Sequence, residues 1–224
     1  MDDAPLITPA AGAADLPAGD FSAWLRDTGA ALAEKRDADV PCGACNACCR
    51  TSHYIHVRPE DRGALRRLPR AFLSPAPDLP PGNLVLGFDE AGRCPMLVDG
   101  RCTMYAHRPR ACRTYDCRIY AAAGIQADRA DIDAQARRWR FAFPAERDRE
   151  LQRAVREAVA FVRAHPEAFP SEAAHRQPLR VAVCAIWVHE RFLVRPPRLW
   201  RPADSERRRV RAVADAHELL FGDG

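Results

Sequence analysis

Eight of the nine cysteines in this 224-residue chain lie between Cys42 and Cys117. Cys42, Cys45, Cys48 and Cys49 form one run spaced CxxCxxCC, and Cys94, Cys102, Cys112 and Cys117 form a looser second set. Two residues between cysteines let one tight turn aim both thiolates at a common centre while backbone amides point toward the sulfurs. That geometry is why CxxC recurs in zinc and iron–sulfur sites, and Gly43 and Ala44 are small enough for such a turn. Soft thiolate ligands suit zinc and iron–sulfur clusters alike. Cys42, Cys45 and Cys48 reproduce the run that fills three corners of a cubane cluster in ferredoxin-type sequences, where the completing cysteine is remote and followed by proline, as in Cys94-Pro95. On that reading these three and one remote cysteine hold a [4Fe–4S] cluster. The competing arrangement is two zinc ions, each with four thiolates. Adjacent side chains do not easily face one tetrahedral ion, so Cys48 and Cys49 are expected to serve different centres or different roles.

The second set is embedded in Cys94-Pro95-Met96-Leu97, Gly100-Arg101-Cys102-Thr103-Met104-Tyr105, Arg108-Pro109-Arg110-Ala111-Cys112-Arg113 and Tyr115-Asp116-Cys117. With CxxCxxCC before it, this pattern resembles the YkgJ-like cysteine-cluster family over about Cys42 to Cys117. The resemblance implies a zinc- or iron-chelating domain with all eight cysteines as candidate metal ligands. It also implies, in some members, an iron–sulfur cluster, and a similar cluster accompanies flagellin lysine methylase. The chain beyond Ala121 is outside the resemblance.

Other residue types near the cysteines have simpler readings beside functional ones. Arg50, Arg101, Arg108, Arg110, Arg113 and Arg118 fit either as counter-charges for an anionic thiolate site or as solvated surface in an arginine-rich chain whose only lysine is Lys35. Tyr105, Tyr115 and Tyr120 read as packing residues before site-lining ones. His53, His56 and His107 are not needed to complete a ligand set of eight thiols. Cys184, inside an apolar run, is expected to be core. Asp116 and Glu190 are available as acid–base groups, but no spacing singles them out and no catalytic set follows. A glycine-rich phosphate loop and a GxSxG elbow are both absent.

Composition frames the rest. A net charge of +4 with interspersed signs points away from a nucleic-acid surface. No apolar run reaches the roughly 18 residues of a spanning helix, and the chain opens without a basic-then-apolar leader. The expectation is a cytoplasmic, bacterial protein, in which clustered thiols stay reduced and signify metal or redox chemistry rather than disulfides.

The elements that must position these residues follow from pattern. Residues 1–18, rich in Ala, Pro and Gly, are expected to be a mobile tail, followed by a cysteine-cluster region 19–120 and a helical region 121–224 packed as one domain with it. Helical spacing predicts a helix from Asp20 to about Lys35, capped by Asp20. Strands are expected at His53–Val57, Leu84–Phe88 and Pro95–Val98, with Asp99-Gly100 turning the last into Arg101–Met104. A short helix begins near Pro59. Helices are predicted over Ala127–Phe141, Ala145–Ala164, Leu179–Phe192 and Ser205–Phe221, the last capped by Ser205. The fold class is α+β: a small antiparallel hairpin and sheet with the cysteine-rich half, packed against a helical C-terminal half that offers a protein-partner surface.

Overall fold

The computed structural model describes residues 14–38, 40, 44–77, 79–193 and 202–222, so Cys42 and most of the expected tail lie outside the described residues. The chain opens with strand β1 (Leu16–Asp20), which begins inside the stretch read as a tail, and continues into helix α1 (Phe21–Leu32). Phe21, Trp24, Leu25, Thr28 and Ala31 are spaced three and four apart and form the buried face of α1. The expected Asp20 cap is not made. A distant carboxylate replaces it: Asp148 accepts from the Ser22 amide at 2.8 Å and from the Ala145 amide at 3.0 Å, closing the starts of two helices at once.

The cysteine-bearing half contains β2 (Ile55–Val57), the single turn α2 (Arg62–Leu65), β3 (Leu73–Pro75), β4 (Leu84–Leu86), β5 (Leu97–Val98) and β6 (Arg101–Cys102). Three of the strands form an antiparallel sheet in the order β2-β4-β3, with Leu86 opposite both Ile55 and Leu73. Pro75, which has no amide to donate, ends an edge strand, where proline is tolerated. The expected β5–β6 hairpin forms. Asp99 and Gly100 take φ of 48° and 75°, the left-handed pair that a two-residue turn demands and that Asp-Gly adopts readily. Beneath these strands lies a small core of Val57, Ala64, Leu68, Leu86 and Met104.

The second half is helical: α3 (Arg110–Thr114), α4 (Arg118–Ala123), α5 (Ala130–Ala136), strand β7 (Trp139–Ala142), α6 (Glu146–Ala164), α7 (Glu172–Arg176), α8 (Pro178–Val188), α9 (Glu190–Leu193) and α10 (Pro202–Phe221). Two sequence expectations need correction here. The helix expected through Phe141 stops at Ala136, and Trp139–Ala142 becomes a strand paired in parallel with β1, Leu16 opposite Trp139. The aromatic residues there suit an extended chain with Trp139 buried and Arg140 exposed. The last helix starts at Pro202, a residue whose fixed φ and missing amide suit a first turn, so Ser205 lies inside it and is not its cap.

Helix α6 buries Ala154, Val155, Ala158, Val159 and Val162 against α1, α4 and α8. The resulting core is large and includes Phe21, Trp24, Tyr120, Trp139 and Cys184. Cys117 belongs to this large core, whereas Cys94 and Cys102 pack against the small one. Cys94, Cys102 and Cys117 therefore lie on the two sides of the joint between the halves. No helix among the described residues is long and apolar enough to cross a membrane.

Candidate metal centre

Backbone hydrogen bonds bring the two cysteine sets together. The Cys94 amide donates to the Cys49 carbonyl at 2.8 Å, and close by along the same two segments the Ser52 amide donates to the Gly92 carbonyl at 2.9 Å. The Asn46 side-chain amide reaches the Gly100 carbonyl at 3.1 Å, which ties the turn between Cys45 and Cys48 to the β5–β6 hairpin. Within the hairpin, the Leu97 amide donates to Cys94 at 2.9 Å and Leu97 stands opposite Cys102, which fixes Cys94 and Cys102 relative to each other. Cys112 arrives on α3. That helix is tied to the sheet through the buried Asp61, which accepts from the Arg58 amide at 3.1 Å and the Arg110 amide at 2.9 Å.

The thiols feel one another electrostatically. Burial pushes Cys112 up to about 12, and repulsion from Cys48, Cys94 and Cys102 adds to it. Cys94 is raised by burial and then by Cys102 and Cys48. A hydrogen bond to Cys49, reinforced by burial, holds Cys48 far above the ordinary thiol value. Cys45 is raised by burial, with Cys48 and Asp131 also acting on it and Arg138 opposing. Cys112 thus lies within electrostatic reach of Cys48, Cys94 and Cys102, and Cys94 within reach of Cys102 and Cys48. Asp131 of α5, which acts on Cys45, also pairs with Arg50 at 3.4 Å.

Cys117 is placed by its sequence neighbours. Asp116 is buried and accepts from the Trp24 indole at 2.8 Å and from the Arg118 amide and guanidinium at 2.8–3.0 Å, pinning the backbone on either side of the cysteine. Its expected availability as an acid–base group therefore gives way to a structural role. The sulfur of Cys117 accepts a hydrogen bond from the Trp139 indole N–H at 3.3 Å. The Tyr115 hydroxyl is buried with no hydrogen-bond partner among the described residues, and Cys117 and Cys48 both contribute to raising it, after burial and Tyr120. A buried hydroxyl near Cys117 and Cys48 is a donor that an anionic thiolate or cluster sulfide would satisfy, so the chemistry of the residues present fits a metal.

Most of the flagged arginines are engaged by carboxylates. Arg113 pairs with Asp37 at 2.7 Å, Arg110 with Glu34 at 3.5 Å and Arg118 with Asp116 at 2.8 Å. Arg108 differs: it stacks 3.7 Å over the Tyr105 ring, has no carboxylate partner among the described residues, and favours the thiolates of Cys48 and Cys112. The histidines turn elsewhere, His53 to Thr51 and Arg129, both at 3.2 Å, and His56 to Asn83 at 2.8 Å. His107 lies against Gly63. Cys184 is fully buried in α8, as expected of core. Tyr105 is exposed, and Glu190 opens α9 on the surface. Sequence reasoning missed Trp139 and put packing ahead of site-lining for Tyr115. Trp139 was assigned to a helix, and no spacing motif connects it to Cys117.

Among the described residues no group of three or more His, Cys, Asp or Glu side chains is arranged to hold a metal ion, and Cys42 lies outside them. Residues 41–135 match the CxxCxxCC family, described as "Putative zinc- or iron-chelating domain". No curated protein and no solved structure matches the chain.

Proposed function

We propose that this chain is a metal-binding protein whose clustered thiolates, Cys42, Cys45, Cys48, Cys49, Cys94, Cys102, Cys112 and Cys117, hold an iron–sulfur cluster or zinc at the joint between the two halves. The observation that carries this is the Cys94–Cys49 backbone hydrogen bond, which brings together cysteines 45 residues apart in sequence. The small core of the cysteine-bearing half gives the metal a structural task. Among the described residues that core gathers five buried apolar side chains, few for a self-sufficient unit, and a thiolate-bound metal contributes folding free energy directly, on the order of 10 kcal/mol in zinc-binding peptides. Bound metal supplies Lewis acidity or electron exchange. The chain's residues gather the thiolates, place Arg108 against their charge and donate hydrogen bonds to sulfur.

The test is chelation of the full chain under reducing conditions, followed by urea unfolding read from tryptophan fluorescence and from the helical signal. Loss of metal should lower the stability of the cysteine-bearing half before that of the helices. An unfolding curve unmoved by chelation would overturn the structural role.

A redox role is the second reading, favoured by the CxxCxxC run and Cys94-Pro95, which fit a [4Fe–4S] cluster. A broad visible absorption that bleaches on reduction supports it, and a colourless zinc-loaded protein overturns it. In that outcome the chain is a zinc-stabilised interaction module, with the helical half as its partner surface. Reduced clustered thiols accord with a cytoplasmic, bacterial setting.

A further inference from the structure

Trp139 lies outside the segment that matches the cysteine family, yet its side chain makes a polar contact to one of the family's cysteines. Both groups are buried, the indole at 3% exposure and Cys117 at 8%, so water does not compete for this hydrogen bond. We infer that the Trp139 indole N–H is an outer-shell donor to a metal-bound Cys117 thiolate, a positioning residue that orients the sulfur and withdraws charge from it. This rests on the reading of Cys117 as a metal ligand.

The argument starts from charge. Four thiolates around a divalent ion leave a net charge near −2, and burying it is unfavourable unless donors point at the sulfurs. Indole carries a donor and no acceptor, so in an apolar core it needs an acceptor, and the sulfur of Cys117 is the one it has here. The donor is also held firmly. Trp139 is locked into β7 by its pairing with Leu16 of β1, and its neighbour Phe141 packs edge-on against Phe21 at 5.1 Å. Cys117 is fixed from the other side by the Asp116 hydrogen bonds. A rigid donor on a rigid acceptor favours one sulfur position, and the fold devotes a parallel strand pair outside the cysteine segment to holding it.

The control is Trp187, a partly buried tryptophan that packs against the same large core from α8. Cobalt(II) titration of the full chain, read by the sulfur-to-cobalt charge-transfer band, separates the two tryptophans. Trp139→Phe removes the donor and keeps most of the ring volume. It should weaken cobalt binding by about tenfold, the lower end of the usual outer-shell effect, and move the band to longer wavelength, because a sulfur without its donor gives up charge more easily. Trp187→Phe should leave the band in place, which a purely packing role for Trp139 would equally predict for Trp139→Phe. If Cys117→Ser loses cobalt while Trp139→Phe keeps both affinity and band, the inference falls and the metal site stands. If Cys117→Ser binds cobalt as the parent does, Cys117 is not a ligand, and the inference falls with that reading while metal binding by the other thiolates stands. Should Trp139→Phe fail to fold, indole proton resonances of the unsubstituted chain decide. On cadmium loading one of the four tryptophan signals should move downfield, and four unmoved signals would refute the inference.

Discussion

Gly92→Ala is expected to strain the seam where the two cysteine sets meet. Gly92 has φ of 72°, a left-handed conformation that costs a residue with a Cβ about 1–2 kcal/mol. An added Cβ would also stand 2.2 Å from the Ser52 hydroxyl oxygen, which donates to the Gly92 carbonyl at 3.3 Å. That hydroxyl must rotate away, forfeiting a hydrogen bond worth about 0.5–1.5 kcal/mol. The sum is a destabilisation of about 2–3 kcal/mol in the metal-free protein, measured by urea unfolding. Gly19 provides the reference: its φ of 86° is equally left-handed, but nothing lies within 4 Å of an added Cβ, so Gly19→Ala should show the backbone cost alone. Ser52→Ala and Gly92→Ala remove the same hydrogen bond, so the double variant should fall short of the summed singles by about 1 kcal/mol. If metal binding draws the two runs together, zinc affinity should fall by roughly 30-fold, the equivalent of about 2 kcal/mol. Additive single effects, or a Gly92→Ala cost no larger than that of Gly19→Ala, would refute the reasoning.

Three further expectations follow from other parts of the molecule. Asp116→Ala withdraws the acceptor from a buried indole and the carboxylate from a buried guanidinium, and should cost about 3–5 kcal/mol by thermal or urea unfolding; a cost under 1 kcal/mol would contradict its role in pinning Cys117. Cys184→Ala should leave the metal content per chain unchanged, since Cys184 is fully buried in α8 as a packing residue, and elemental analysis of that variant checks it. His217 is held below the usual histidine value, first by burial and then by Arg180, whose guanidinium lies 3.0 Å from its ring. Below its unfolded pKa near 6.5 the unfolded chain takes up the proton more readily, so His217 lowers stability as pH falls through about 6.5 and has no effect above it. His217→Gln should flatten that part of the stability profile, and an unchanged slope between pH 5 and 7 would count against it.

Local chemistry made much of this architecture legible. Asp99-Gly100 announced its hairpin because few other dipeptides take two left-handed residues in succession, and α1 and α6 followed from apolar spacing alone. The chain beyond Arg137 was misread because Trp139-Arg140-Phe141 carries no helix breaker before it; its strand form depends on β1, more than a hundred residues away. Asp20 looked like a cap by position, yet the carboxylate that satisfies the α1 amides is Asp148, brought there by tertiary packing. At the site, the grouping of the cysteines was visible in their spacing. Their division into Cys94 and Cys102 on the small core and Cys117 in the large one was not, because the break falls inside one continuous motif. The Trp139 donor was invisible for the same reason as β7: the contact exists only once the strand has docked.

The central claim is that the clustered cysteines bind metal, and the most direct measurement is iron, zinc and acid-labile sulfide per chain in protein purified anaerobically. The account predicts metal in a ratio set by thiolate sites, either zinc without sulfide or iron with matching sulfide, and loss of that metal when Cys94 and Cys112 are replaced by serine. A chain that retains neither metal and takes up neither after anaerobic reconstitution, while remaining fully folded, would contradict it.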